Sequence, residues 1–269
     1  MEHTLSKLYA DSRESEMVLV GIGEEFQYNW DMLQQNERWN EIADELDERE
    51  EYQWVIPFLY KTALMQIPDK RLEQAYKTLQ EIIEGQNYFI LSAAIDDYIY
   101  RYSFQKDRIV TPCGGFSRMQ CDCNCSGELY DIDEKLSSDV EAYFDKKKPL
   151  DAIQEPKCRK CGESLKFNQI GAKKYAQEGY LPQWEKYTKW IQGTVNKKLC
   201  VIELGAGMQI PTLIRWPFEK IIYYNHKSFL YRIHSSFYQL GEKMGGRGLG
   251  IKENSISFLA NGFVKYDCM

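Results

Sequence analysis

The chain has 269 residues, a length that fits one large and one small α/β lobe, and its 43% hydrophobic and 28% charged residues are typical of globular proteins. No run of eighteen apolar residues is present, so we expect no membrane association. The formal net charge of -6 gives no overall positive field, and nucleic acid is not an expected partner. The N-terminal residues lack the features of a secretory signal, which predicts a cytoplasmic protein.

Apolar runs and helical periodicity alternate along the first part of the chain. Residues 16–21 are a short apolar run typical of a buried parallel strand, and residues 29–84 carry apolar side chains at helical spacing. A second buried strand is predicted over 88–91, a helix with an aromatic face over 93–102, and a third strand over 108–111. Such repeated βα units predict a parallel sheet with helices on both faces.

A cysteine-rich stretch over 113–167 interrupts this rhythm and is predicted to be a small inserted module with a helix over 133–144. The α/β pattern then resumes. Its predicted elements are a helix over 175–191, a strand over 199–204, a helix from the following glycine turn to 217, a strand over 221–224, and helical patterns around a glycine-rich loop in the tail.

Two groups of thiols in the inserted module predict a structural zinc site. Four soft donors suit tetrahedral zinc, and they leave no open position for a catalytic water. The predicted ligands are Cys121, Cys125, Cys158 and Cys161. Cys123 is left as a spare, although it is also a candidate to replace Cys121 or Cys125. The alternatives are free thiols or disulfides, and disulfides would require an oxidising compartment.

Two strand-to-helix turns are rich in glycine and are candidates for binding a nucleotide. Gly21 and Gly23 follow the first strand, and Gly205, Ala206 and Gly207 follow the strand over 199–204. Glycine there lets backbone amides approach a pyrophosphate. Each motif alone is more often only a tight turn.

The first glycine turn, the cysteine module and the second glycine turn, in this order and followed by Asn225, resemble the sirtuins. They resemble most closely the bacterial branch linked to macrodomain proteins. The resemblance covers about residues 18–234. It implies a large Rossmann-like domain from residues 1–112 and 170–269, with 113–169 as the small zinc-binding module. It further implies NAD or ADP-ribose in the cleft, a protein substrate, and either protein-lysine deacylation or protein ADP-ribosyl transfer.

Several positions depart from the sirtuin pattern. The catalytic Asp of the family is kept as Asp96, but the general-base His falls on Cys113. The first glycine-rich turn of the family aligns with Gly23 followed by Glu24 and Glu25. Two carboxylates at the expected pyrophosphate position disfavour NAD in its usual pose.

The later binding elements match the family better. Gly205 and Gly207 remain suited to a phosphate, and Asn225 matches the residue that contacts the adenosine ribose.

Three hypotheses follow. The first is an NAD-dependent enzyme in which Asp96 and Cys113 line a remodelled site. The second is an inactive sirtuin-like protein that binds a nucleotide or a partner protein through the same cleft. The third is a structural scaffold bearing zinc. In the simplest alternative interpretation, Cys113 is a small buried residue and Asp96 is a helix cap or a surface acid.

Overall fold

The computed structural model describes residues 2–262, which contain two β-sheets. The strands are β1 (Met17–Ile22), β2 (Tyr88–Ser92), β3 (Ile109–Val110), β4 (Gly114–Cys121), β5 (Leu129–Asp131), β6 (Leu165–Gln169), β7 (Leu199–Leu204), β8 (Ser228–Ile233) and β9 (Gly248–Ile251). The helices are α1 (Glu2–Glu14), α2 (Glu37–Asp47), α3 (Ile56–Gln66), α4 (Lys70–Ile83), α5 (Glu134–Phe144), α6 (Leu181–Gln192), α7 (Arg215–Tyr224) and α8 (Ser255–Asn261). None of the helices in this range is long and apolar enough to cross a membrane.

The large sheet has the order β3-β2-β1-β7-β8-β9, and every neighbouring pair is parallel. All residues of β1 and β7 are buried, which explains their continuous apolar sequences. The strand order reverses between β1 and β7, and ligands of such sheets bind beyond the carboxyl ends of the strands at this point. The predicted α/β fold with a parallel sheet is confirmed.

The small lobe contains the antiparallel sheet β5-β4-β6 and helix α5. Residues 36–66, far away in sequence, pack against it. Arg38 Nε donates a hydrogen bond to the Phe144 carbonyl at 2.8 Å, and the Phe58 and Phe167 ring centroids lie 4.7 Å apart. The small lobe is therefore fastened to the helical segment that follows β1.

Two elements after β7 differ from the prediction. Residues 221–224 are not a strand, because they form the end of α7, whose buried residues Arg215, Phe218 and Ile222 recur at helical spacing. The fifth strand of the sheet is β8, which begins at Ser228. The helix predicted directly after the second glycine turn is also absent, because residues 205–214 form a loop before α7.

Other boundaries also differ. Residues 93–102 contain only a short 3-10 turn over Tyr98–Arg101, because Asp97 adopts a left-handed conformation with φ of 55° that stops a helix there. The helix predicted over 175–191 begins at Leu181, with Pro182 in its first turn. The tail contributes a sixth strand, β9, that periodicity did not predict.

Candidate nucleotide cleft and metal centre

The two glycine turns lie side by side and touch. Ile22 and Leu204 are paired at the ends of β1 and β7, and Gly23 N donates a hydrogen bond to the Leu204 carbonyl at 2.8 Å. A Cβ atom on Gly23 would lie 2.2 Å from the Ala206 Cα. Gly23 is therefore required for direct contact between the two turns.

Gly21 has a packing role that the sequence did not predict. It lies inside β1, where an added Cβ would lie 2.6 Å from both Ile214 and Phe218. Its missing side chain makes room for α7 and the residue before that helix. The position of Gly21 thus explains helix packing, and its part in cofactor binding stays a prediction.

The Glu25 side chain fills the hollow between the second glycine turn and the end of β8. Its carboxylate accepts hydrogen bonds from Ser255 N at 2.8 Å, from Ser235 N at 3.1 Å and from the Ser235 hydroxyl. The Glu25 Cβ also contacts the turn, since a Cβ on Gly205 would lie 2.7 Å from it. Gly205 has φ of 66°, a conformation that glycine adopts readily. The backbone N–H groups of Ser235 and Ser255 in this hollow thus donate to an acidic side chain of the protein itself.

Glu24 covers the other end of the same turn. Its Oε1 accepts a hydrogen bond from Gln209 N at 3.1 Å and would lie 2.6 Å from a Cβ on Gly207. Gly207 therefore makes room for a carboxylate of the chain itself. Both glutamates of the altered motif turn inward across the loop that follows β7.

His234, directly after β8, completes this cleft and was not predicted as a site residue. Its Nδ1 accepts hydrogen bonds from Ser236 N at 3.0 Å and Phe237 N at 3.1 Å and lies 3.4 Å from Glu25 Oε2. Burial lowers the pKa of His234, which favours the neutral ring. The sequence signal for His234 was its position directly after a buried strand. The prediction placed that strand over 221–224, whereas β8 begins at Ser228.

Asn225 lies away from the glycine turns, and the strand on which its predicted ribose contact relied is not present. It follows α7 and precedes β8, at the amino-terminal edge of the sheet, whereas the glycine turns lie at the carboxyl-terminal edge. Its Nδ2 donates hydrogen bonds to the carbonyls of Thr194 at 2.9 Å and Lys197 at 3.1 Å.

Asp96 holds the loop after β2 in place. Its side chain is 3% exposed, and its carboxylate accepts hydrogen bonds from Tyr28 N at 2.7 Å and Tyr98 N at 3.0 Å. Burial raises the pKa of Asp96 to about 6, although the two amides act in the opposite direction. Both oxygens are engaged with backbone, an arrangement that joins the segments after β1 and β2.

Cys113 is 1% exposed at the start of the small lobe. Burial raises the pKa of its thiol to about 11, with a further contribution from the charge of Glu24. A thiol with this pKa is protonated at neutral pH and is a poor nucleophile. Cys113 therefore fits the buried structural role and not that of a reactive thiol.

Four cysteine sulfurs meet at the tip of the small lobe, all within 4.8 Å of one another. They are those of Cys121, Cys125, Cys158 and Cys161. The Cys121–Cys161 and Cys125–Cys158 Sγ distances are 3.4 and 3.7 Å, close to the value of about 3.8 Å expected for tetrahedral zinc with bonds of about 2.3 Å. These are the four predicted ligands, and their arrangement fits a tetrahedral metal ion.

The knuckle around Cys158 also supports metal binding. Gly162, with φ of 79°, donates its N–H to the Cys158 carbonyl at 2.9 Å. The Tyr130 hydroxyl lowers the pKa of Cys158 to about 6, assisted by the amides of Lys160 and Cys161. A thiolate is the form that binds zinc.

No family model matches the chain. It is 21% identical over 190 residues to a protein ADP-ribosyltransferase of Staphylococcus aureus, covering 69% of this chain and 59% of that protein. It is 27% identical over 142 residues to a probable bifunctional ADP-ribose hydrolase/ADP-ribosyltransferase of Fusarium oxysporum, covering 51% of this chain and 24% of that protein. The chain thus spans less than two thirds of the length of these relatives.

Solved structures of Sir2 proteins have the same fold. A structure that addresses the mechanism and regulation of Sir2 enzymes aligns with a TM-score of 0.51 and 16% identity. The alignment covers 97% of this chain and 96% of that one. A mutant Sir2 homologue in complex with ADP-ribose aligns with a TM-score of 0.51 and 12% identity, over 95% and 93% of the two chains. These likenesses show that the Sir2 fold extends over nearly all of the described residues.

Proposed function

We propose that this sirtuin-like chain, which has the Sir2 fold and sequence similarity to ADP-ribosyltransferases, lacks NAD-dependent catalysis and acts by binding other molecules. One observation carries the proposal. The Glu25 carboxylate takes the hydrogen bonds of Ser235 and Ser255 beside the second glycine turn. An anionic dinucleotide in this cleft would have to displace it.

Electrostatics oppose that displacement. A phosphate about 4 Å from one carboxylate is repelled by about 4 kcal/mol at an effective dielectric constant of about 20. A hydrogen bond to a charged group contributes about 1.5–3 kcal/mol net, so the phosphate would need two or three new contacts to offset the charge of one carboxylate. Glu24 and Glu25 together therefore disfavour the pyrophosphate more strongly than either alone.

The candidate catalytic residues support the same proposal. Asp96 uses both carboxylate oxygens to hold backbone amides, and Cys113 is a buried, protonated thiol. The hydrogen bonds of Asp96 and the burial of Cys113 both oppose proton exchange with a substrate in the cleft. The function we propose is binding, and a protein is the proposed partner, because the Glu25 carboxylate occupies the hydrogen-bond donors beside the second glycine turn.

The experiment combines ligand binding with turnover. A ligand at one hundred times its dissociation constant adds about 2.7 kcal/mol of stability, which a thermal melt detects. We expect the wild-type melting temperature to be unchanged by NAD or ADP-ribose, and we expect no nicotinamide release by liquid chromatography. Nicotinamide release by the wild-type protein would overturn the proposal.

A double variant tests whether the two carboxylates are what prevents nucleotide binding. Glu24→Ala/Glu25→Ala removes both charges, and we expect ADP-ribose to raise its melting temperature. The matched control is Glu50→Ala/Glu51→Ala, an adjacent pair of exposed acids on a 3-10 helix distant in sequence from the turns. The control should remain insensitive to ADP-ribose.

An NAD-dependent protein ADP-ribosyltransferase or lysine deacylase is the second candidate, because both curated relatives carry ADP-ribosyltransferase names. It requires Glu24 and Glu25 to leave the hollow when NAD binds. A wild-type thermal shift with ADP-ribose, together with nicotinamide release, would support this candidate. A shift without release would indicate an inactive protein that still binds the nucleotide.

A further inference from the structure

A fifth thiol lies beside the candidate metal ligands. Cys123 Sγ is 3.4 Å from Cys121 Sγ and 3.8 Å from Cys161 Sγ, and the Cys123 side chain is partly exposed. Four thiolates complete a tetrahedral metal site, so the fifth has no place in the same coordination sphere. It is nevertheless in contact with two of the ligands.

We propose that Cys123 is an oxidation site, where a peroxide drives a disulfide between Cys123 and Cys161 and thereby removes one metal ligand. The inference rests on the fit of the four thiols to a metal ion and is independent of the proposed function. Cys161 is the expected partner because it is exposed, whereas Cys121 is buried. Cys121 is also separated from Cys123 by only one residue, and so small a ring would strain the disulfide.

The chemistry balances with hydrogen peroxide as the oxidant. The Cys123 sulfur, which holds no metal, attacks one peroxide oxygen, the O–O bond breaks, and the products are a sulfenic acid on Cys123 and water. The metal-bound Cys161 thiolate then attacks the Cys123 sulfur, the S–O bond and the bond between Cys161 and the metal break, and the departing hydroxide takes a proton from solvent to become water. One thiol, one thiolate, one proton and one peroxide thus give one disulfide and two waters.

The local backbone permits this approach. Residues 122–128 form turns without strand pairing, and Asn124 has φ of 47°. Rotation about the Cα–Cβ bond of Cys123 and a small shift of this loop would close the gap between the sulfurs. After closure only Cys121, Cys125 and Cys158 remain as ligands, and zinc should dissociate more readily.

The test uses the zinc-loaded protein and hydrogen peroxide. Zinc release is followed with a colorimetric chelator, and the disulfide is identified by mass spectrometry of a non-reduced digest. We expect a peptide that links Cys123 to Cys161 to appear together with zinc release, and we expect dithiothreitol to reverse both.

The decisive variant is Cys123→Ser, with Cys123→Ala as a second form in case the first folds poorly. We expect it to contain as much zinc as the wild type and to release it about tenfold more slowly under peroxide. Cys200→Ala, which removes a buried thiol in β7, is the control and should release zinc at the wild-type rate. Wild-type release kinetics in the Cys123 variants, or purification of those variants without zinc, would overturn the proposal.

Discussion

Glu203 and Arg232 form a bidentate ion pair inside the parallel sheet. Arg232 Nε and Nη2 lie 2.6 and 3.0 Å from the two oxygens of Glu203, and neither side chain is exposed. The two residues are paired across β7 and β8. Arg232 Nη1 also donates hydrogen bonds to Glu219 and to the Gln239 carbonyl. This network connects the sheet to the segment that follows His234.

Removing one partner of this pair should destabilise the fold strongly. Arg232→Met leaves the buried Glu203 without its bidentate partner, since Arg215 Nη1 is 3.8 Å away, and we expect the free energy of unfolding to fall by about 3–5 kcal/mol in urea titrations. Arg118→Met breaks the exposed pair with Asp131 and should change it by less than about 1 kcal/mol. The double variant Glu203→Leu/Arg232→Met should recover part of the loss. Equal effects of the two single variants would contradict this account.

Asp96 should make stability depend on pH. Its pKa of about 6 in the folded protein exceeds the unfolded value of about 3.9, so the folded state binds the proton more tightly. The free energy of unfolding should therefore decrease as the pH rises from about 4 to about 6. This group contributes up to about 3 kcal/mol to that decrease.

The variant Asp96→Asn isolates that contribution, because it cannot titrate. Urea unfolding of both proteins at pH 4.5 and pH 7 should show that the variant loses less stability as the pH rises. Its stability at a single pH is not the relevant measure, since the amide can accept only part of the hydrogen bonding from Tyr28 and Tyr98. Identical changes with pH in the two proteins would contradict the raised pKa.

Gly23 should tolerate no side chain. In Gly23→Ala the new methyl group would meet the Ala206 backbone at 2.2 Å, which neither turn can relieve by a side-chain rotation. We expect a loss of about 1–3 kcal/mol in unfolding free energy, as for overpacked cores. Gly241→Ala is the control, since nothing lies within 4 Å of its added Cβ and its φ of -69° suits alanine. A neutral Gly23→Ala variant would show that the turns are not in contact.

Buried strands and metal ligands were accessible from the sequence for a physical reason. A strand that is covered on both faces, such as β1 or β7, must be apolar throughout, and the four cysteines have spacings that few other structures require. These parts, in their order along the chain, carried the sirtuin resemblance. Each strand and each cysteine group can be recognised from its own short stretch of sequence.

The errors arose where tertiary contacts decide the outcome. The apolar residues 221–224 are short enough to fit a strand or the end of a helix, and the burial of Phe218 and Ile222 on the sheet selects the helix. Similarly, residues 93–102 have helical spacing, but the left-handed Asp97 ends that possibility. The sequence showed that Glu25 is acidic, but not that it turns toward Ser235, which is 210 positions away.

The attachment of residues 36–66 to the small lobe has a consequence for biosynthesis. As the nascent chain leaves the ribosome, Arg38 emerges long before Phe144, and the metal-binding knuckles cannot close until Cys161 has been translated. β1 also lacks its β7 neighbour until residue 204 is made. Chaperones that shield exposed apolar segments should therefore associate with the first half of the nascent polypeptide, and ribosome profiling of chaperone-bound chains would locate that interval.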